Sequence, residues 1–224
     1  MLLTVLSIAL SVASGQAALA PTAPGPSPGA FTCVQQDVPL AGGIGRASVV
    51  AFTGAVYGQR VCALVANLAS DGFAASVATS PADDAVVTAA VMKGTGASIV
   101  ARPSGLVLGP AAAASGTTAD ANAVGPFVIA PGGSFPGFGS DTSEVPRVVL
   151  AYAGQRVLLV RTTAVTLTDL AHALREQPDI FGSDAAERAV ILASGDDAAM
   201  QVRTADGTLG TPVRAPLALL IKQR

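Results

Sequence analysis

Asp196 and Asp197 are neighbouring carboxylates in a short polar turn, Ser194-Gly195-Asp196-Asp197, set between two apolar segments. Such a pair could act as an acid pair or hold a divalent cation; the alternative is an exposed acidic turn between strands. Two adjacent carboxylates supply few of the oxygen ligands such a cation takes. Ser194 could be a nucleophile only with a base beside it, and the local sequence offers none. A Ser-His-Asp triad would have to use His172, the only histidine. That residue falls off the apolar stripe of a predicted helix and reads as a solvated helix residue. One His and two Cys do not make a zinc site. Gly132-Gly133-Ser134 lacks the Lys and the following helix of a nucleotide-phosphate loop. Arg147 opens a predicted strand, where it could contact an anion or form a surface ion pair with Glu144 or another acid. Phe127, Phe135 and Phe138 flank the glycine turn and could stack on a sugar or cover a core edge.

The composition behind these residues excludes several classes. The 224-residue chain has 13 Lys and Arg against 15 Asp and Glu, a formal net charge of -2, so a basic nucleic-acid binder is disfavoured. Half the residues are apolar and 12% are charged, the reverse of a disordered composition. Arginine outnumbers lysine eleven to two, a bias typical of GC-rich bacterial genomes.

The first 36 residues carry no charged side chain. Leu2 to Val12 has the length of a signal-peptide core and is short for a membrane span. Ala18-Leu19-Ala20 supplies the small residues before a cleavage point. The expectation is a signal peptide over residues 1–20, with an uncleaved anchor as the alternative, a Pro-rich spacer of polyproline-II character over 21–32, and a folded region over 33–224. The chain would then be secreted, periplasmic or held at the cell envelope, with no stable membrane span after cleavage. In that oxidising setting Cys33 and Cys62 suggest one disulfide, worth about 3 kcal/mol by loop closure. Two buried thiols are the alternative.

Elements that would position the candidate residues follow from hydrophobic period and punctuation. Ala47–Phe52, Val61–Leu68 and Phe73–Thr79 read as strands, the last two joined at Ser70-Asp71-Gly72. Ser80-Pro81-Ala82-Asp83 has the form of a helix start. Val87, Ala90 and Val91 would then form its apolar stripe and Gly94 its end. Short strands follow at Ala97–Val100 and Leu106–Leu108, then a small-residue loop over Pro110–Ala123. Val148–Tyr152 and Arg156–Val160 read as a hairpin. Thr166 or Thr168 caps a helix carrying Leu167, Leu170, Ala171 and Leu174 on one face. Ala189–Ala193, Ala198–Arg203, Gly207–Thr211 and Leu217–Lys222 are the remaining strands. The sum is an α+β fold with mixed or antiparallel sheets and a few packed helices in a single domain.

This order resembles the phosphodiester glycosidase domain family. Gly125-Pro126-Phe127-Val128-Ile129 looks like its Gly-Pro strand, and Pro146-Arg147-Val148-Val149-Leu150 its Pro-Arg strand. Arg156–Val160 followed by Thr166-Leu167-Thr168-Asp169-Leu170-Ala171 resembles its strand and helix. Ala189–Met200 falls where the family has an Asn-Leu-Asp-Gly-Gly-Gly-Ser loop. There the family carboxylate becomes Ala193, only Gly195 remains of the glycines, and the first serine position is Asp197. The family's earlier Asn-Gly-Gly-aromatic-Phe motif has no counterpart in Ser98–Ala101.

The resemblance implies hydrolysis of a sugar–phosphodiester. Arg147, Asp196 and Asp197 would be the catalytic candidates, and Ser194 and Gly195 the ligand-binding ones. The partner would be a sugar-phosphate or an envelope glycan. No cofactor is expected beyond a divalent cation at the acidic pair. Backbone amides of a glycine turn and a forked guanidinium suit phosphate oxygens, and a carboxylate suits an oxocarbenium-like centre. Two carboxylates placed where the phosphate docks would repel it. The departures therefore imply a second reading, a catalytically inactive glycan-binding or structural module facing the envelope.

Overall fold

The computed structural model describes residues 33–110, 121–138 and 142–224. The expected signal peptide and the whole of the expected spacer lie outside them, as does most of the loop expected over Pro110–Ala123.

Four neighbouring segments explain the architecture. They are β3 (Arg60–Ala69), β10 (Arg147–Ala153), β11 (Arg156–Thr162) and β12 (Arg188–Ser194). Each is a near-continuous apolar run, so each must bury both faces. In β3, Val61, Ala63 and Val65 enter one core, while Leu64, Ala66 and Leu68 enter another. In β11, Leu158 and Val160 take the first side and Val157 and Leu159 the second. Fully burying one such aliphatic side chain contributes about 1.5–3 kcal/mol.

These strands form the middle of a seven-stranded sheet completed by β1 (Gln36–Pro39), β2 (Gly45–Thr53) and β9 (Phe127–Ile129). Its order is β1-β2-β3-β11-β10-β12-β9, and every neighbouring pair is antiparallel. One face packs under the helix α1 (Leu167–Glu176) through Leu167, Leu170, Ala171 and Leu174. Thr166 is the cap: its hydroxyl accepts from the Asp169 backbone N–H at 3.1 Å.

The opposite face meets two smaller antiparallel sheets. One has five strands, β4 (Phe73–Ala78), β5 (Val87–Val91), β13 (Met200–Thr204), β14 (Gly207–Gly210) and β15 (Leu217–Gln223). The other has three, β6 (Ala97–Arg102), β7 (Gly105–Pro110) and β8 (Ala121–Val124).

The α+β expectation with several packed helices is therefore corrected. Among the described residues 53% are in strands and 11% in helical turns, with α1 as the one α-helix. The helix expected after Ser80 is absent. Val87–Val91 is β5, an inner strand between β13 and β15, with all five residues buried. The run Ala85-Val86-Val87-Thr88-Ala89-Ala90-Val91 is buried without interruption, so no polar face remains for an amphipathic helix. Ser80 to Asp84 forms irregular backbone with a bend and a turn despite its cap-like sequence.

Cys33 and Cys62 are joined as a disulfide with Cα atoms 5.7 Å apart. It fastens the start of the described chain, just ahead of the edge strand β1, to β3. No helix among the described residues is long and apolar enough to cross a membrane.

Candidate functional site

The candidate residues meet where β10 starts and β11 and β12 end. Arg147 lies directly opposite Ser194 in the β10–β12 ladder. That pairing depends on a bulge. The register shifts between Val148 and Val149, leaving Leu192 as the extra residue of β12. Leu192 and Ala193 consequently both turn toward the sheet–sheet core, and Ser194 shares the face of Arg147. The Arg147 Nη1 donates to Ser194 Oγ at 3.4 Å. The Leu192 carbonyl accepts from the Met92 N–H at 2.7 Å, tying the bulge to the segment after β5.

Arg147 is 4% exposed. Its Nε donates to the Val165 carbonyl at 3.2 Å, and its Nη2 to the Ser143 carbonyl and hydroxyl at 3.1 and 3.3 Å. Its backbone N–H donates to Thr162 Oγ1 at 3.2 Å. The guanidinium thus joins three segments: the approach to β10, the approach to α1 and the end of β12.

Ser194 to Asp197 form a single tight turn. The Gly195 N–H donates to the Pro146 carbonyl at 2.8 Å, and the Gly195 carbonyl accepts from the Ala198 N–H at 3.1 Å. Gly195 sits at φ +67°, and an added Cβ would meet nothing within 4 Å. Glycine is needed here for its backbone conformation, not for space. Its N–H is engaged by the Pro146 carbonyl. Asp196 and Asp197 are exposed.

Sequence reasoning missed Arg161, which the structure places beside the same turn. It pairs with Val148 across the β10–β11 ladder and therefore faces the sheet–sheet core, opposite to Arg147. It is 7% exposed, and its Nε donates to the Ala198 carbonyl at 2.8 Å. Burial pushes its guanidinium below the ordinary arginine value. Two buried arginines on opposite faces of the sheet thus hold the two ends of the Ser194–Ala198 turn. The available signal was an Arg ending an otherwise apolar strand, which reads equally well as a strand end reaching solvent.

The remaining candidates are dispersed. His172 Nδ1 lies 3.0 Å from Glu176 Oε2, and its ring lies 4.9 Å from that of Phe135. It is partly buried there, not solvated as expected. Phe127 and Phe138 pack against the two cores, while Phe135 is exposed. Among the described residues no three His, Cys, Asp or Glu side chains gather to hold a metal ion. The buried carboxylate near the α1 N-terminus is Asp169, fully buried, accepting from the Val56 and Tyr57 N–H groups at 2.7 and 3.4 Å. It fixes the tip of the β2–β3 hairpin.

No protein-family model matches the chain, and no curated protein matches it. Among solved structures, it is similar to the catalytic domain of zebrafish N-acetylglucosamine-1-phosphodiester alpha-N-acetylglucosaminidase, auto-inhibited by its pro-peptide. The TM-score is 0.55 at 10% identity, over 85% of this chain and 88% of that one. A hypothetical protein from Synechocystis aligns at a TM-score of 0.36 and 16% identity, over 80% of this chain and 42% of that one. At these identities the likeness concerns fold alone: the chain has a distant phosphodiester-glycosidase-like fold.

Proposed function

We propose that this chain is a non-catalytic, envelope-facing glycan-binding module built on a phosphodiester-glycosidase-like scaffold. The observation that carries the reading is the state of Arg147, buried at 4% exposure with Nε, Nη1 and Nη2 all donating to protein acceptors. An arginine that docks a phosphodiester must present its fork to the ligand. Here the fork nitrogens donate to Ser194 and Ser143, so the guanidinium holds the turn that would otherwise carry the chemistry. The resemblance puts the family's carboxylate at Ala193, which is buried and apolar.

The fold likeness supports a sugar as the ligand class, since the neighbouring structure is named for a sugar–phosphodiester activity. The uncharged leader, the apolar segment Leu2–Val12 and the Cys33–Cys62 disulfide support secretion to an oxidising compartment. The same fold likeness favours a second reading, hydrolysis of a sugar–phosphodiester. That reading requires Arg147 to leave its acceptors and Asp196 or Asp197 to act as acid; alternatively the two carboxylates would hold a divalent cation, which would supply positive charge for the phosphate.

Co-sedimentation of the mature chain with insoluble polysaccharides (chitin, cellulose and purified bacterial sacculi) tests the binding reading. Retention on at least one of them, released by the matching soluble sugar, is expected. Recovery of the whole chain in every supernatant would contradict it.

A further inference from the structure

Phe135 stands 41% exposed on the loop that follows β9. A lone apolar residue on a surface is ordinary, but this one is held in place from two sides. Its loop begins as a tight turn. The Ala130 N–H donates to the Ser134 carbonyl at 2.8 Å, and the Gly133 N–H to the Ala130 and Glu187 carbonyls at 3.0 and 2.9 Å. Gly133, at φ +80°, approaches α1 so closely that an added Cβ would lie 2.7 Å from the Arg175 guanidinium carbon. The turn is therefore clamped between β12's approach and the helix. Beyond it the Phe135 ring packs on the His172 imidazole, with centroids 4.9 Å apart and planes tilted by 37°. His172 is steadied in turn by Glu176, whose Oε2 lies 3.0 Å from Nδ1.

Beside this ring is a pocket of about 250 Å3. Drug-sized ligands occupy about 300–1,000 Å3, so this one admits a single ring-sized unit. Phe135, Pro136 and Phe138 give it an apolar side. Thr168 and His172, on the first turns of α1, give it a hydroxyl and an imidazole. Phe135 is exposed and the other four are half-buried, so all five are within reach of a ligand from solvent. None of the lining residues is Asp, Glu, Lys or Arg.

We propose that the pocket between the Phe135 loop and α1 binds one uncharged pyranose unit of a glycan, stacked on Phe135 with its hydroxyls toward Thr168 and His172. This rests on the glycan-binding reading and gives it a location. A charge-free pocket with a rigidly backed aromatic face and hydrogen-bonding groups on one side suits a ligand that is two-sided in the same way. The C–H bonds on one face of a pyranose carry partial positive charge and match the negative face of the phenyl ring. The hydroxyls at its rim donate and accept. A phosphate or carboxylate would find no cation in the lining, and a wholly apolar ligand would strip water from the hydroxyl and the imidazole without replacing it. One ring and no charged contact make the binding weak, with a dissociation constant of about 1 mM.

The test is heteronuclear NMR on the isotope-labelled, disulfide-intact chain, titrated separately with cellobiose, N-acetylglucosamine, glucose 1-phosphate and a tetraproline peptide. Saturable shifts at Phe135, Gly137, Thr168 and His172 with a neutral sugar are expected, with upfield ring-current shifts of that sugar's own C–H protons. Phe135→Ala removes an exposed ring, so the fold should stand while binding weakens about tenfold or more. Thr168→Val, of the same shape, should weaken it about threefold. The chain has no tryptophan, so Phe135→Trp keeps a stacking face and supplies a single indole whose emission should move with the sugar. Sugar binding that shifts other residues and survives Phe135→Ala overturns the pocket and leaves the glycan-binding reading standing. Preference for glucose 1-phosphate, or binding of the proline peptide alone, overturns the ligand class. No shift with any of the four up to about 50 mM overturns the pocket, and the polysaccharide co-sedimentation then decides the broader reading separately.

Discussion

Removing the Arg147 guanidinium should cost stability before it costs anything else. Arg147→Ala deletes charged donors to Val165, Ser194 and Ser143, and leaves those acceptors around a space closed to solvent. Hydrogen bonds from a charged group contribute about 1.5–3 kcal/mol each, and breaking a buried charged network costs about 3–5 kcal/mol in all. We take the latter, because the bonds share one group and do not add independently. For a domain of this size that corresponds to a melting temperature lowered by roughly 6–20 °C. Arg147→Lys should recover less than half of the loss, since one ammonium cannot reach acceptors spread over three segments. Thermal unfolding followed by circular dichroism measures both variants. A change within about 0.5 kcal/mol for Arg147→Ala, the range of an ordinary surface substitution, would refute the structural role assigned to the side chain.

Three further outcomes follow from other parts of the molecule. Asp196→Asn with Asp197→Asn should change stability by no more than about 0.5 kcal/mol by denaturant melting, because both carboxylates are exposed on the turn. Burial pushes the Tyr152 hydroxyl up to about 12, against a smaller opposing pull from Arg188, and the hydroxyl donates to the Leu106 carbonyl. The folded chain therefore retains a proton that the unfolded chain loses near pH 10. This contribution is intact below about pH 10 and is lost as pH rises toward 12, by up to about 3 kcal/mol. Tyr152→Phe should flatten that alkaline slope in pH-dependent unfolding and remove the late phase of an ultraviolet tyrosine titration. Reducing the Cys33–Cys62 bond, which spans 29 residues, should cost about 3–4 kcal/mol in thermal unfolding without abolishing the central sheet.

The sequence was most legible where burial on both faces forces a continuous apolar run. The segments around Val61–Leu68, Val148–Tyr152, Arg156–Val160 and Ala189–Ala193 are strands because no amphipathic helix tolerates such runs on its solvent side. The same property misled at Val87–Val91. Ala and Val at these spacings satisfy a helical stripe, and Ser80-Pro81-Ala82-Asp83 supplies a cap, yet β13 and β15 claim both edges of the segment. Local signals cannot register partners that arrive more than a hundred residues later. β1 went unread because Gln36-Asp37-Val38-Pro39 is polar and ends in proline, as edge strands often are.

The adjacency of Arg147 and the Ser194–Gly195 turn was legible in the sequence, but the hydrogen bonding around them was not. Arg147, Ser194 and Gly195 do come together, as their order suggested. The bulge at Leu192 that turns Ser194 toward Arg147, and the opposing hold of Arg161 on Ala198, depend on cross-strand register. No residue type announces either.

The central claim is that Arg147 and the Ser194–Asp197 turn have become structure instead of catalytic machinery. Incubating the folded, disulfide-intact chain with a chromogenic sugar–phosphodiester, with and without divalent cation, tests it most directly. The account predicts no release of chromophore above the buffer rate under either condition. Turnover that disappears in a folded Arg147→Ala variant would contradict it and restore Asp196 and Asp197 as the acid candidates.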